Sequence, residues 1–168
     1  FAVAGGQSLP ERAYYLENDA RARQLRAAFA AHVQRIFELL GDSPAQAAAA
    51  ARSVLSFETA LARASLSPLQ RRDPQRLANR MSMAQLQVLT PGFDWRAYRA
   101  ALGLAGDGPV NVSEPRFYRQ FGRELARRPL REWQTLLRWQ LASSHAPLPS
   151  KPWFEADFDF FQRQLQGT

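Results

Sequence analysis

The sequence has no cysteine, a single lysine (Lys151) and only two histidines. Without cysteine there is no disulfide scaffold and no thiolate zinc site, although the compartment stays open on that ground. Long apolar runs are also missing. The longest, such as Ala47–Ala51, fall far short of the roughly 20 residues that cross a bilayer, so the sequence predicts no membrane span. No signal-peptide pattern is visible. Residue 1 is Phe rather than Met, which reads as a chain that starts inside a longer product or has been processed. Nucleophilic chemistry has no carrier, since there is no Gly-x-Ser-x-Gly elbow. The run Gly103-Leu-Ala-Gly-Asp-Gly108 lacks the Gly-Lys-Ser/Thr end of a phosphate loop. Neither His32 nor His145 has a second histidine three or four residues away, the spacing that puts two zinc ligands on one helical face. His32 lies beside an apolar stripe and reads as an ordinary packed residue.

What remains is a helix-forming composition. The 168 residues are 46% hydrophobic, enough for one domain with a core and against disorder. Alanine and leucine outnumber valine and isoleucine, which favours helix over strand. The net charge is +7, carried almost wholly by arginine. That balance admits a nucleic-acid or anionic-surface partner. The arginines are scattered, however, and the plainer reading is a lineage that favours arginine codons.

Periodicity and punctuation divide the chain. Residues 1–17 read as an irregular lead-in, with Leu9–Leu16 extended or turn-like because Pro10 disfavours helix before it. Residues 18–65 read as two long helices. The first is capped by Asn18 or Asp19, carries Leu25, Phe29, Val33, Ile36, Phe37 and Leu40 inward, and stops at Gly41. The second opens with a Ser43…Gln46 capping box and Pro44, and runs roughly 33 Å at 1.5 Å per residue. Glu58 falls within its apolar stripe, where a lone carboxylate needs an Arg or backbone N–H partner.

Residues 66–102 read as a connector and hinge helices, with a turn of helix after Asp73-Pro74. At the hinge, Ser82 and Gln85 have capping-box spacing, Pro91-Gly92 ends the helix, and Asp94 caps the next one beside Phe93 and Trp95. Val110–Val112 reads as a short extended piece. Residues 113–168 read as three helices. Phe117, Phe121 and Leu125 face inward on the first, Leu130, Trp133, Leu136, Leu137 and Leu141 on the second, and Phe154, Phe158, Phe161 and Leu165 on the last. The fold class is therefore all-α, about seven helices in one domain. Glu58, Ser82, Asp94, Trp95 and Trp133 are its structural key residues.

Three groups of side chains have functional readings. Arg116, Arg119, Arg123 and Arg127 share one helix face, a geometry suited to phosphates, though opposite an apolar face it also describes a solvated surface helix. Glu155, Asp157 and Asp159 read as first-turn acids favoured by the helix dipole rather than as an acid/base pair. The aromatics Trp153, Phe154, Phe158, Phe160 and Phe161 read as helical core rather than as a stacking platform.

Several segments together resemble the neprilysin-type zinc metallopeptidases, the family of neprilysin, endothelin-converting enzyme and bacterial relatives. Leu9-Pro-Glu-Arg-Ala-Tyr-Tyr-Leu16 is similar to the family's Leu-Pro-x-Arg-x-Tyr-Tyr segment. Asn79-Arg-Met-Ser-Met-Ala-Gln-Leu-Gln87, followed by Pro91-Gly-Phe-Asp-Trp95, is similar to its Tyr-Asn-Lys-Met-Thr-x-x-Glu/Gln-Leu segment. Glu58 with Leu61-Ala62 matches Glu-x-x-Leu-Ala, and Glu132-Trp133, Leu137-Arg-Trp139 and Phe158–Phe161 complete the order. Departures fall at Leu77, where Tyr is usual, at Arg80 for Lys and at Glu11.

The resemblance implies a segment of the N-terminal, helical, non-catalytic lobe, with more of that lobe before Phe1 and the zinc ligands, base and substrate-aligning motif beyond Thr168. It implies no catalytic, metal or cofactor residue in this segment, zinc in the full-length parent, and an extracytoplasmic parent of bacterial type. The partners implied are the parent's own catalytic lobe and its peptide substrates, with self-association of the isolated segment and no nucleic acid. The alternatives are an independent Arg-rich helical module that binds nucleic acid or protein, and a free-standing interaction domain built on the aromatic last helix.

Overall fold

The structure, a computed structural model, describes residues 7–104, 106, 108–145 and 151–166. Among these the chain forms ten α-helices, one π-helix and two two-residue strands. It is all-α. The chain divides into two compact units, residues 1–12 with 60–128 and residues 13–59 with 129–168.

The second unit is built on α2 (Ala20–Leu39) and most of α3 (Pro44–Ala64). Asp19 caps α2 by accepting the Ala22 N–H at 2.9 Å. That bond, made to the carboxylate, holds the Asp19 carboxyl below its ordinary range. At the other end Gly41 takes φ 93°. The Asp42 N–H reaches Phe37 O and the Gly41 N–H reaches Glu38 O, both at 3.0 Å. This is a Schellman closure, and it satisfies carbonyls the helix would otherwise leave orphaned. Ser43 and Gln46 form the box that opens α3. Leu25, Phe29, Val33, Ile36 and Phe37 are all buried, whereas Leu40 is exposed because it lies past the last helical turn.

Helix α9 (Leu130–His145) packs on α2 through a face other than the one the leucines suggest. Leu136, Trp139 and Ala142 are buried; Leu130, Leu137 and Leu141 are 73%, 59% and 65% exposed. Trp139 meets Phe29 edge-on with ring centroids 5.7 Å apart. The last helix also differs from expectation. Helix α10 (Lys151–Phe158) passes into a π-helix at Asp159–Gln166. The wider winding sets the facing of side chains only from Asp159 on; Phe154 and Phe158 lie before it, on α10. Trp153 and Phe160 are buried, and Phe154 and Phe158 are exposed.

The other unit holds the end of α3, two single-turn helices α4 (Pro68–Arg71) and α5 (Pro74–Leu77), the hinge helices α6 (Met83–Leu89) and α7 (Trp95–Ala101), and α8 (Pro115–Arg127). Strand β1 (Arg80–Met81) pairs antiparallel with β2 (Val110–Asn111), Arg80 opposite Asn111. Asn79 locks this pair from both sides: its N–H donates to Asn111 Oδ1 at 2.8 Å, and its carbonyl accepts the Val112 N–H at 2.9 Å. Within the lead-in, helix α1 (Arg12–Leu16) replaces the turn-like reading; Pro10 restrains only Leu9, and the helix starts after it. The parts of the lead-in and of the last helical region that fall on residues 1–6, 146–150 and 167–168 lie outside the described residues.

Candidate functional site

The hinge is a cluster of local caps closed by one long-range contact. Ser82 Oγ accepts the Gln85 N–H at 3.2 Å, and Gln85 Oε1 accepts the Ser82 N–H at 2.8 Å. Asp94 accepts the Ala97 N–H at 2.8 Å and so starts α7. Between them Thr90 is fully buried; its hydroxyl donates to Leu86 O at 3.2 Å and accepts the Trp95 indole N–H. The Gln87 amide donates to the carbonyls of Thr90, Pro91 and Phe93, which fixes the turn. Trp95 is buried with its ring against Phe93 at 4.6 Å and Tyr118 at 5.5 Å. Burial raises the Tyr118 phenol above its ordinary range. Gly122 on α8 completes the cluster. A Cβ there would stand 3.0 Å from Leu89 O and 3.1 Å from Thr90 Cα, so α8 lies directly on the hinge backbone.

Two buried carboxylates are held by named donors. Glu58 accepts the Tyr15 hydroxyl at 2.5 Å in the second unit, so α1 supplies a partner of a kind the sequence reading did not name. Glu114, in the other unit, accepts the Leu66 N–H at 2.7 Å and Arg71 Nε at 2.9 Å. Sequence reading passed over Glu114 because its partners lie more than 40 residues away. Trp133 packs edge-on against Phe57 with centroids 4.6 Å apart.

His32 is buried in an aromatic box. Phe160 stacks on it at 4.9 Å, Trp139 and Phe161 meet it edge-on, and Asp157 Oδ1 lies 4.0 Å from Nε2. Burial pushes its pKa down from 6.5 to about 4, offset in part by the Ala156 backbone and Asp159. Burial also raises the Asp157 carboxyl. A zinc site needs three or four donors converging at about 2 Å. Here a single carboxylate faces an imidazole walled by rings, and no group of three His, Cys, Asp or Glu able to hold a metal occurs among the described residues. The donors around His32 do not fit zinc. Nor is any helix among the described residues long and apolar enough to cross a membrane.

The arginine row of α8 divides. Arg116, Arg119 and Arg123 line one cleft with Gln120 and with Arg63 from the end of α3, while Arg127 lies outside it. Their acidic neighbour Glu124 is buried and is bonded to Gln120 at 2.6 Å and to Arg128 at 2.5 Å.

Comparison with known proteins places this architecture. Residues 1–168 match the model of peptidase family M13. The chain belongs to that family, as part of its N-terminal domain. Endothelin-converting enzyme-like 1 from Rattus norvegicus is 33% identical over 93 residues, which is 54% of this chain and 12% of that protein. The Homo sapiens protein of the same name is 32% identical over 93 residues. Zinc metalloprotease Zmp1 of Mycobacterium tuberculosis, solved in an open state, superposes with a TM-score of 0.90 at 30% identity, covering 98% of this chain and 26% of that one. Its complex with an inhibitor gives 0.89 at 32% identity, covering 97% and 25%. The chain thus spans about a quarter of these solved structures and 12% of the curated relative.

Proposed function

We propose that this chain is a wall segment of the helical, non-catalytic lobe of a zinc-dependent endopeptidase, where it helps to enclose a chamber that admits oligopeptides and restricts larger substrates. The carrying observation is the match to a zinc metalloprotease over 98% of the chain at a TM-score of 0.90, in a segment whose described residues offer no metal-binding group. The chemistry of the full-length protein is then hydrolysis by a zinc-activated water, with donors supplied by the rest of that protein. This segment contributes shape, through the capped hinge and the α2–α9 core. Endothelin-converting enzyme-like 1 and Zmp1 are far longer than this chain, which fits a role as one wall among several. The Mycobacterium tuberculosis enzyme is described in open and partial open states, which fits a chamber that closes around its substrate.

The independent Arg-rich module rested on the net charge and the α8 row. Matches that run through the whole chain favour the peptidase reading over it.

A length series tests the proposal. The full-length protein should cleave unfolded peptides of about 5 to 30 residues and leave the same sequences uncut inside a folded domain of about 100 residues, a size too wide for an enclosed chamber. Equal cleavage of both would overturn size restriction. Stoichiometric zinc bound by the isolated 168-residue segment would overturn its non-catalytic assignment.

A further inference from the structure

We propose that the cleft between the end of α3 and the outer face of α8 is a binding site for a phosphate-bearing anion, held by the guanidinium groups of Arg63, Arg116, Arg119 and Arg123. All four are exposed and line one cleft of about 280 Å³. One water needs about 10–15 Å³ of such space, so the cleft has room for an anion larger than a single phosphate. No carboxylate among the described residues pairs with any of the four. The two carboxylates of α8 and its N-cap are already engaged: Glu114 binds Leu66 and Arg71, and Glu124 binds Gln120 and Arg128. Like charges brought together without counter-charge repel, and an anion in the cleft relieves that repulsion.

The ligand class follows from the donors. Arg116, Arg119 and Arg123 stand at three- and four-residue intervals, so they form a stripe about 10 Å long on one face of α8. Arg63 comes from a different helix and closes the cleft. Each guanidinium is a planar fork that binds two oxygens at once. Four forks exceed what a two-oxygen carboxylate can accept and suit linked phosphates, whose oxygens repeat along the stripe. The cleft involves residues of one unit only and makes no use of a peptide or of zinc, so it stands apart from the peptidase reading.

Calorimetric titration of the full-length protein with pyrophosphate at low salt tests this. Saturable binding should weaken about tenfold or more in the pair Arg119→Gln/Arg123→Gln, and in the same direction in Arg63→Gln. The charge-matched pair Arg52→Gln/Arg96→Gln, which leaves the cleft intact, should change it less than about twofold. Absence of binding, or equal losses in both pairs, overturns the site. Pyrophosphate binding that neither pair alters also overturns it, because the anion is then held elsewhere in the protein. Phosphatidylcholine vesicles with about one third phosphatidylglycerol supply the second arm. Flotation with these vesicles, lost in Arg119→Gln/Arg123→Gln, would support the site and assign its phosphate to a lipid headgroup. Pyrophosphate binding without flotation would support it and assign a soluble ligand. Duplex nucleic acid that binds and is lost in Arg119→Gln/Arg123→Gln, with no binding of pyrophosphate, overturns it in favour of a nucleic-acid surface.

Discussion

At the scale of single residues, His32 has the largest consequence for pH. The native fold keeps its imidazole neutral down to about pH 4, whereas in the unfolded chain it protonates near its ordinary value of about 6.5. Between those values the unfolded chain takes up a proton that the folded chain refuses. Stability is therefore full above about pH 6.5 and falls as the pH drops toward about 4, by up to about 3 kcal/mol. Asp157 acts with the opposite sign: its raised folded carboxyl makes a contribution that grows as the pH falls. Urea midpoints measured from pH 7 to about pH 4 should decline for the native sequence and flatten for His32→Leu; an unchanged slope in the variant would assign the effect to other groups. Trp95→Ala should cost about 3–5 kcal/mol, the range for deleting a core aromatic. A loss below about 1 kcal/mol would show that the indole's bond to Thr90 and its ring contacts carry little. The sequence shows a histidine beside an apolar stripe but not the depth of its box, since Trp139 and Phe160 lie more than 100 residues away.

Helices were legible in proportion to how local their signals are. The boxes at Ser43…Gln46 and Ser82…Gln85 are chemistry between residues three apart, so spacing alone exposes them. Ser67…Gln70 forms the same box before α4 and went unnoticed inside a Pro-rich stretch. Ser82→Ala and Asp94→Ala should each lower stability by about 1 kcal/mol, the usual worth of an N-cap, as read from thermal unfolding. The face of α9 was not legible. Its leucines and its Leu136–Trp139–Ala142 stripe both have helical spacing, and only the choice of α2 as neighbour decides between them. The arginine row of α8 was readable from its period, but the contribution of Arg63 was not, because it comes from another helix.

For the molecule as a whole, the exposed leucines of α9 and the exposed Phe154 and Phe158 set the behaviour of the isolated segment. Apolar faces of this kind mark contact surfaces. The isolated segment should self-associate, with a mass by light scattering that rises with concentration. Leu137→Arg/Leu141→Arg should reduce that association while changing stability by less than about 0.5 kcal/mol each, because neither side chain is buried in the segment. A monodisperse monomer at all concentrations would mean that these faces need no cover. In the full-length protein the same pair should lower the unfolding temperature if the faces are covered there.

The contact at Gly122 extends this to the family. A Cβ at Gly122 would meet the Leu89–Thr90 backbone at 3.0–3.1 Å, tighter than ordinary contact, so a larger residue there requires the hinge backbone to give by a few tenths of an ångström and ties the two segments together over evolutionary time. A relative that carries alanine or serine at this place should also carry a compensating change in the length or composition of its hinge turn. An alignment of full-length relatives would show the two positions covarying, and that linked substitution would trace how rigidly the joint has been inherited.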